Sequence, residues 1–399
     1  MRHESPATCI CPISPIRPIQ QFTLLLFYLF TFKYMRICIC GGGNLGHVVA
    51  GFIASRGTDE VNILTRRPDR WAQTLAIDTP NGGTLHGRLA RVSSRPEDVI
   101  SGCQAVMLCL PGWSIGTTLD SIRPCLSPET AVGSVVSSTG FYFEARRRLP
   151  EGTPLFGFQR VPFIARTAEY GHRASLLGYK QQLVMGTESI PAPDAFRLEM
   201  ERMLATPVVL AKNMYEVSLS NSNPLLHPAR LYSLWHDWHE GTVYPRVPMF
   251  YEEWDDLAAR LYIAMDGELQ ALLGALPVSA GCIPTVLDYY ESHDAASLAA
   301  KLRSIKAFKG IPAPMKEVAG GYVPDFTSRY FTEDFPYGLA VIHRLAHEKG
   351  IPTPIINKVY EWGKWVQTDT QHKQHITPIP APTDTHPSPP EGRELSMQC

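Results

Sequence analysis

The apolar positions of the chain fall into two regimes. From Arg36 to about residue 212, short unbroken apolar runs alternate with stretches whose apolar residues recur every three or four positions. The runs include RICIC (36–40), EVNIL (60–64), QAVMLCL (104–110) and TAVGSVV (130–136), with others inside TPLFGFQRVPFIAR, QQLVMGT and TPVVLAKN. Such runs suit strands buried on both faces. Helical periodicity marks the connections GHVVAGFIASR, IGTTLDSIRPCL and APDAFRLEMERML. Strands alternating with helices predict a doubly wound, mostly parallel sheet over residues 35–212.

From residue 213 to 366 the strand pattern fades. DDLAARLYIAMDGELQALLGAL (255–276), AASLAAKLRSIKAF (295–308) and FPYGLAVIHRLAHEKG (335–350) read as amphipathic helices. The last has Pro336 in its first turn and Gly350 at its end. An all-α second domain is expected, with ligands in the cleft between the two. The ends differ. Residues 1–34 are proline-rich, and their apolar run FTLLLFYLFTF (22–32) is shorter than the ~20 residues a bilayer requires. They are expected to be a non-core extension, and a chain starting at Met35 is expected to fold without them. Residues 367–399, rich in Pro, Thr and His, are expected to be a disordered tail.

The first strand runs into GGGNLGH (41–47), which contains G-x-G-x-x-G. Gly41 permits a tight turn, Gly43 lets backbone approach a pyrophosphate, and Gly46 lets the helix pack on the strand. Asn44 and Leu45 complete the turn, where the helix start offers free N–H groups and a positive dipole end. The strand–turn–helix context makes this a Rossmann-type dinucleotide-binding domain. At the end of the second strand, where NAD users place an acid, stand Thr65, Arg66 and Arg67. A hydroxyl and an arginine fork suit a ribose 2′-phosphate, so NADP is expected, with NAD as the alternative. Trp113 and Ser114, just past a strand end, are further candidates to line the site.

Lys and Arg total 37 and Asp and Glu 38, which gives no electrostatic reason to expect nucleic acid or an anionic membrane as partner. Nine scattered cysteines, none in CxxC spacing, suit free thiols in a reducing, cytoplasmic setting. HDWHE (236–240) has two histidines but no third ligand, so a surface face is expected and no metal site is assigned. The acidic run 252–256 reads as a solvated helix start. Glu333 is expected to be exposed, or a secondary ligand for a cationic substrate.

GGGNLGH (41–47), NPLLHPARLY (223–232), FYEEWDD (250–256) and RYFTEDFPYGL (329–339), in that order, give the chain its resemblance to the octopine/nopaline (opine) dehydrogenases over roughly residues 35–365. The glycine pattern is widely shared. Asn-x-x-x-His-Pro combined with Arg-x-x-x-x-Asp is far more specific. The resemblance implies a catalytic dyad of His227 and Asp334, with Arg329 and Asn223 binding substrate. It also implies NAD(P)-dependent reductive condensation of an amino acid with a 2-oxo acid, by a monomer or homodimer. Imine chemistry needs a group that exchanges protons near neutrality, and histidine supplies one. From residues alone, His227 reads equally as a buried structural histidine. Two other functions stay open: an NADP-dependent hydroxy acid or ketoacid reductase of the same layout, and a non-catalytic NADP-binding sensor.

Overall fold

The computed structural model describes residues 34–373. The extension expected before Met35, Tyr34 apart, and the part of the expected tail beyond residue 373 lie outside the described residues. The first half contains β1 (Arg36–Cys40), β2 (Glu60–Leu64), β3 (Thr74–Asp78), β4 (Thr84–Arg88), β5 (Arg91–Ser93) and β6 (Ala105–Leu108). These are followed by β7 (Ala131–Ser134), β8 (Leu155–Phe158), β9 (Phe163–Glu169), β10 (Arg173–Tyr179), β11 (Leu183–Glu188) and β12 (Val208–Leu210). Helices α1 (Asn44–Ser55), α2 (Gly112–Ile122), α3 (Phe141–Arg148) and α4 (Pro193–Leu204) connect them.

The main sheet has eight strands in the order β12-β11-β8-β7-β6-β1-β2-β5. It is parallel from β5 through β8, while β11 runs antiparallel to β8. Both faces are covered, which explains the unbroken apolar runs. Ile37, Ile39 and Met107 enter the core shared with α1, whereas Cys38, Cys40, Val106 and Leu108 enter the opposite core with α2. The alternating cysteines of β1 are therefore packing residues. The neighbours β2 and β6 lie on opposite sides of β1, so the winding reverses there and opens a crevice beyond the carboxyl ends of β1 and β6.

A second sheet, ordered β4-β3-β10-β9, was not legible as such. β3 and β4 are short and half polar, and β9, foreseen as a strand, joins this sheet rather than the first. It packs on α1 at backbone contact, where a Cβ on Gly87 would lie 2.2 Å from the Gly51 carbonyl oxygen.

The second half contains α5 (Met214–Ser218), α6 (Asn223–Trp235), α7 (Asp256–Gly274), α8 (Ala295–Ser304), α9 (Ala340–Glu348) and α10 (Pro354–Lys373), around one apolar core. The helical layout of this half is as expected, and three details of it differ. A hairpin of β13 (Met315–Val318) and β14 (Gly321–Pro324) interrupts the all-α pattern. The helix expected to open at Pro336 begins earlier, as a π-helical segment over Tyr330–Leu339 with Pro336 inside it. Proline has no N–H to donate and its ring crowds the preceding turn, and a widened turn accommodates both. Finally, α10 runs past residue 366, because Trp362 and Val366 are buried and the polar residues beyond them extend an established helix. Among the described residues no helix is long and apolar enough to cross a membrane.

Candidate active site

His227 lies in the second turn of α6, 7% exposed. Its Nδ1 is 2.7 Å from Oδ2 of Asp334, in the π-helical segment. Its Nε2 is 2.8 Å from the Tyr251 hydroxyl. Tyr330 stands edge-on to the imidazole at 4.7 Å and stacks on Phe250 at the same separation. Burial pushes the Tyr330 phenol up to about 12. The segment carrying Asp334 is held by close packing. Gly338 abuts Pro224 of α6 and Gly363 of α10 abuts Phe335, and a Cβ at either glycine would lie 2.6 Å or less from its neighbour. The widened turn thus brings together residues 107 positions apart.

The motif around His227 also supplies a brace that the sequence reading missed. Arg230 is 1% exposed. Its Nε donates to the Phe250 carbonyl at 2.8 Å, and its guanidinium meets Asp255 at 2.5 Å. Asp255 in turn caps α7 by accepting from the Ala258 N–H. Burial lowers the Arg230 pKa, so the nearby Asp255 charge offsets a desolvation cost. The acidic run is a set of ties: Glu252 accepts from the Gly310 N–H, and Glu253 pairs with Arg246 and accepts from the Met249 N–H. Together these fix the segment that presents Tyr251.

Arg329 is exposed at the entry to the π-helical segment, and Asn223 is half-buried at the first residue of α6. Among the described residues neither side chain bonds to His227 or Asp334. Glu333 is not exposed as expected. It is half-buried and accepts from the Gly112 N–H at 3.0 Å, and burial raises its pKa. Gly112 opens α2 beyond the carboxyl end of β6, and a Cβ there would fall 2.3 Å from the Tyr337 ring. The two halves of the molecule therefore meet at the crevice. Trp113 is 53% exposed beside this contact, while the Ser114 hydroxyl donates to the Pro111 carbonyl.

The glycine turn fits a dinucleotide. Gly41 has φ +123°, and a Cβ on Gly46 would lie 2.0 Å from the Gly41 carbonyl oxygen. A Cβ on Gly43 would meet nothing within 4 Å, so the backbone is open on that side. No side chain caps α1, which leaves its first N–H groups available to an anion. Asn44 instead uses its side chain to accept from the Thr167 N–H, tying β9 to the turn, and Leu45 packs against the core behind it. Thr65 is buried with its hydroxyl 3.1 Å from that of Tyr170, whereas Arg66 is exposed and makes no bond among the described residues. Beneath the turn, His47 bonds the Gly43 carbonyl through Nδ1, accepts from the Gly171 N–H through Nε2 and stacks on Trp71 at 4.3 Å. Burial lowers its pKa. A histidine following the glycines was visible in the sequence, but its partners, which come from the second sheet and its connections, were not.

The family model for the NAD/NADP octopine/nopaline dehydrogenase alpha-helical domain matches residues 210–366. Octopine dehydrogenase of Pecten maximus is 30% identical over 361 residues, covering 83% of this chain and 90% of that one. The chain belongs to the octopine/nopaline dehydrogenase family. Opine dehydrogenase of Haliotis discus hannai is 29% identical, covering 83% and 89% of the two chains. A solved structure of octopine dehydrogenase with NADH and L-arginine superposes with a TM-score of 0.75 at 28% identity, over 83% of this chain and 89% of that chain. As a member of the octopine/nopaline dehydrogenases the chain is an oxidoreductase of nicotinamide dinucleotides, and the open backbone at Gly43 and the uncapped start of α1 fit such a group.

Proposed function

We propose that this chain joins an amino acid to a small 2-oxo acid by NADPH-linked reductive condensation, and catalyses the reverse oxidation. The observation that carries this reading is the 2.7 Å contact between His227 and Asp334, on residues that match the family motifs. In this reading the cofactor, when bound, supplies the hydride. His227 takes a proton from the attacking amine and returns it to the departing hydroxyl, which leaves as water. Asp334 holds the Nδ1 proton and favours the charged ring when it forms. Arg329, exposed and not bonded to the dyad, grips the substrate carboxylate, and the Asn223 amide donates to a carboxylate or carbonyl oxygen.

The reading is tested by supplying a panel of amino acids with pyruvate or 2-oxoglutarate and following NADPH loss. Consumption that requires both the amine and the oxo acid supports it. Consumption with the oxo acid alone would make the chain a hydroxy acid dehydrogenase instead.

Two substitutions refine it. Arg329→Ala is expected to raise KM for the 2-oxo acid about tenfold or more, from a lost charge-assisted bond of ~1.5–3 kcal/mol, with NADPH binding unchanged. An unchanged KM would remove Arg329 from the substrate site. Arg66→Ala is expected to weaken NADPH use by a similar factor and leave NADH use nearly unchanged, because Thr65 is already engaged by Tyr170 and Arg66 is exposed at that strand end, where its guanidinium fork suits a 2′-phosphate. Equal losses with both cofactors, or a native preference for NADH, would contradict it.

A further inference from the structure

Both ring nitrogens of His227 are held by protein groups, and the dyad accounts for only one of them. Nδ1 faces Asp334, and a carboxylate only accepts, so Nδ1 carries a proton. In the neutral ring Nε2 is then the acceptor, and the Tyr251 hydroxyl at 2.8 Å is its donor. Tyr251 is not a side chain that swings freely. It is buried, its ring stacks on Phe308 at 4.1 Å, and Trp254 lies parallel to it on the same short segment. Arg230 fixes that segment through the Phe250 carbonyl and Asp255. The motif around His227 and the FYEEWDD motif are thus parts of one arrangement, which delivers a phenolic O–H to Nε2.

We propose that Tyr251 is a positioning residue of the acid–base unit, holding His227 as the Nδ1-protonated neutral ring from the side opposite Asp334. The inference rests on the reading of His227 as the proton carrier. In free histidine the proton favours Nε2, and here two protein groups act together to select the other tautomer. The remaining titratable groups against the imidazole are Tyr330, from the segment that carries Asp334, and Arg230 on the same helix, which turns toward Phe250 and Asp255. Because both ring nitrogens are engaged, Tyr251 turns its hydrogen away before Nε2 takes the amine's proton, and its oxygen then accepts from the charged ring. A phenol donates better than it accepts, so on balance Tyr251 favours the neutral ring.

The test uses Tyr251→Phe in the full chain, which removes one oxygen and keeps the stacked ring. Three readouts are expected to move. The kcat falls by about two- to tenfold with KM for NADPH unchanged, as expected for one lost neutral hydrogen bond to the proton carrier. The acidic limb of the kcat/KM profile moves to higher pH by about half a unit or more. In nitrogen-15 spectra of the cofactor-free protein at alkaline pH, the His227 Nε2 resonance moves to the position of an unbonded acceptor nitrogen. A Tyr251→Phe protein with the wild-type profile and the wild-type Nε2 resonance overturns the inference. If the variant does not fold, the wild-type spectrum decides: a proton on Nε2 rather than Nδ1 overturns it too. A fully active His227→Ala protein would instead defeat the proton-carrier reading, so the two failures are distinguishable.

Discussion

His227→Ala is expected to lower kcat by about 10²–10⁴-fold, the usual cost of losing a general acid–base group, while NADPH still binds. The glycine turn and α1 make no use of His227, so cofactor binding survives the change. Asp334→Asn is expected to lower kcat strongly as well. An amide does not hold the Nδ1 proton as a carboxylate does, and it does not favour the charged ring. The double variant is expected to be little worse than the worse single one, because the pair acts as a unit. Steady-state kinetics on the three proteins, with NADPH titrated by fluorescence, checks this. A fully active His227→Ala protein would return the residue to a structural role, and additive losses would mean that the two side chains act separately.

The second large effect is expected at the glycine turn. Gly46→Ala places a Cβ 2.0 Å from the Gly41 carbonyl oxygen, a clash with backbone that no side-chain rotation relieves. Overpacking of this kind costs ~1–3 kcal/mol of stability, and moving the turn withdraws N–H donors from the phosphates. Gly43→Ala is the informative contrast. Its φ of −87° suits alanine and its Cβ would meet nothing within 4 Å, so the fold is undisturbed while the methyl group fills the space meant for the pyrophosphate. Both variants are expected to lose NADPH affinity about tenfold or more, as for a lost charge-assisted bond. Only Gly46→Ala is expected to melt earlier in the absence of cofactor. Equal melting temperatures, or retained affinity in both, would show that the turn is not used as described.

How far the sequence could be read depends on what each feature rests upon. β1, the glycine turn and α1 were legible because local pattern determines them: an apolar run, glycines at fixed spacing and helical periodicity. The second sheet was not, because β3 and β4 are only five residues each and half polar, and the partners that bury them, β10 and α1, are set by tertiary contact rather than by local pattern. The π-helical segment was hidden for a related reason. Pro336 suggested a helix start, whereas the helical turns begin at Tyr330 and the segment is held by close approaches at Gly338 and Gly363 that one dimension does not show. At the site, His227 and Asp334 were nameable from motifs, but their contact is tertiary. Arg230 and Tyr251 stood inside quoted motifs and went unremarked, since a buried arginine brace and a phenol aimed at an imidazole nitrogen have no signature in one dimension. Glu333 was misplaced because its burial comes from the other half of the chain, through the Gly112 N–H.

The most direct measurement is the mass of the product. The purified chain is incubated with NADPH, one 2-oxo acid and a panel of amino acids, and the mixture is read by mass spectrometry. The account predicts a compound whose mass is that of the amino acid plus the oxo acid, less one water and plus two hydrogens. It is formed only when both substrates and NADPH are present, and it is lost in His227→Ala. A 2-hydroxy acid formed without the amine, or no reduced product from any pair, would contradict it.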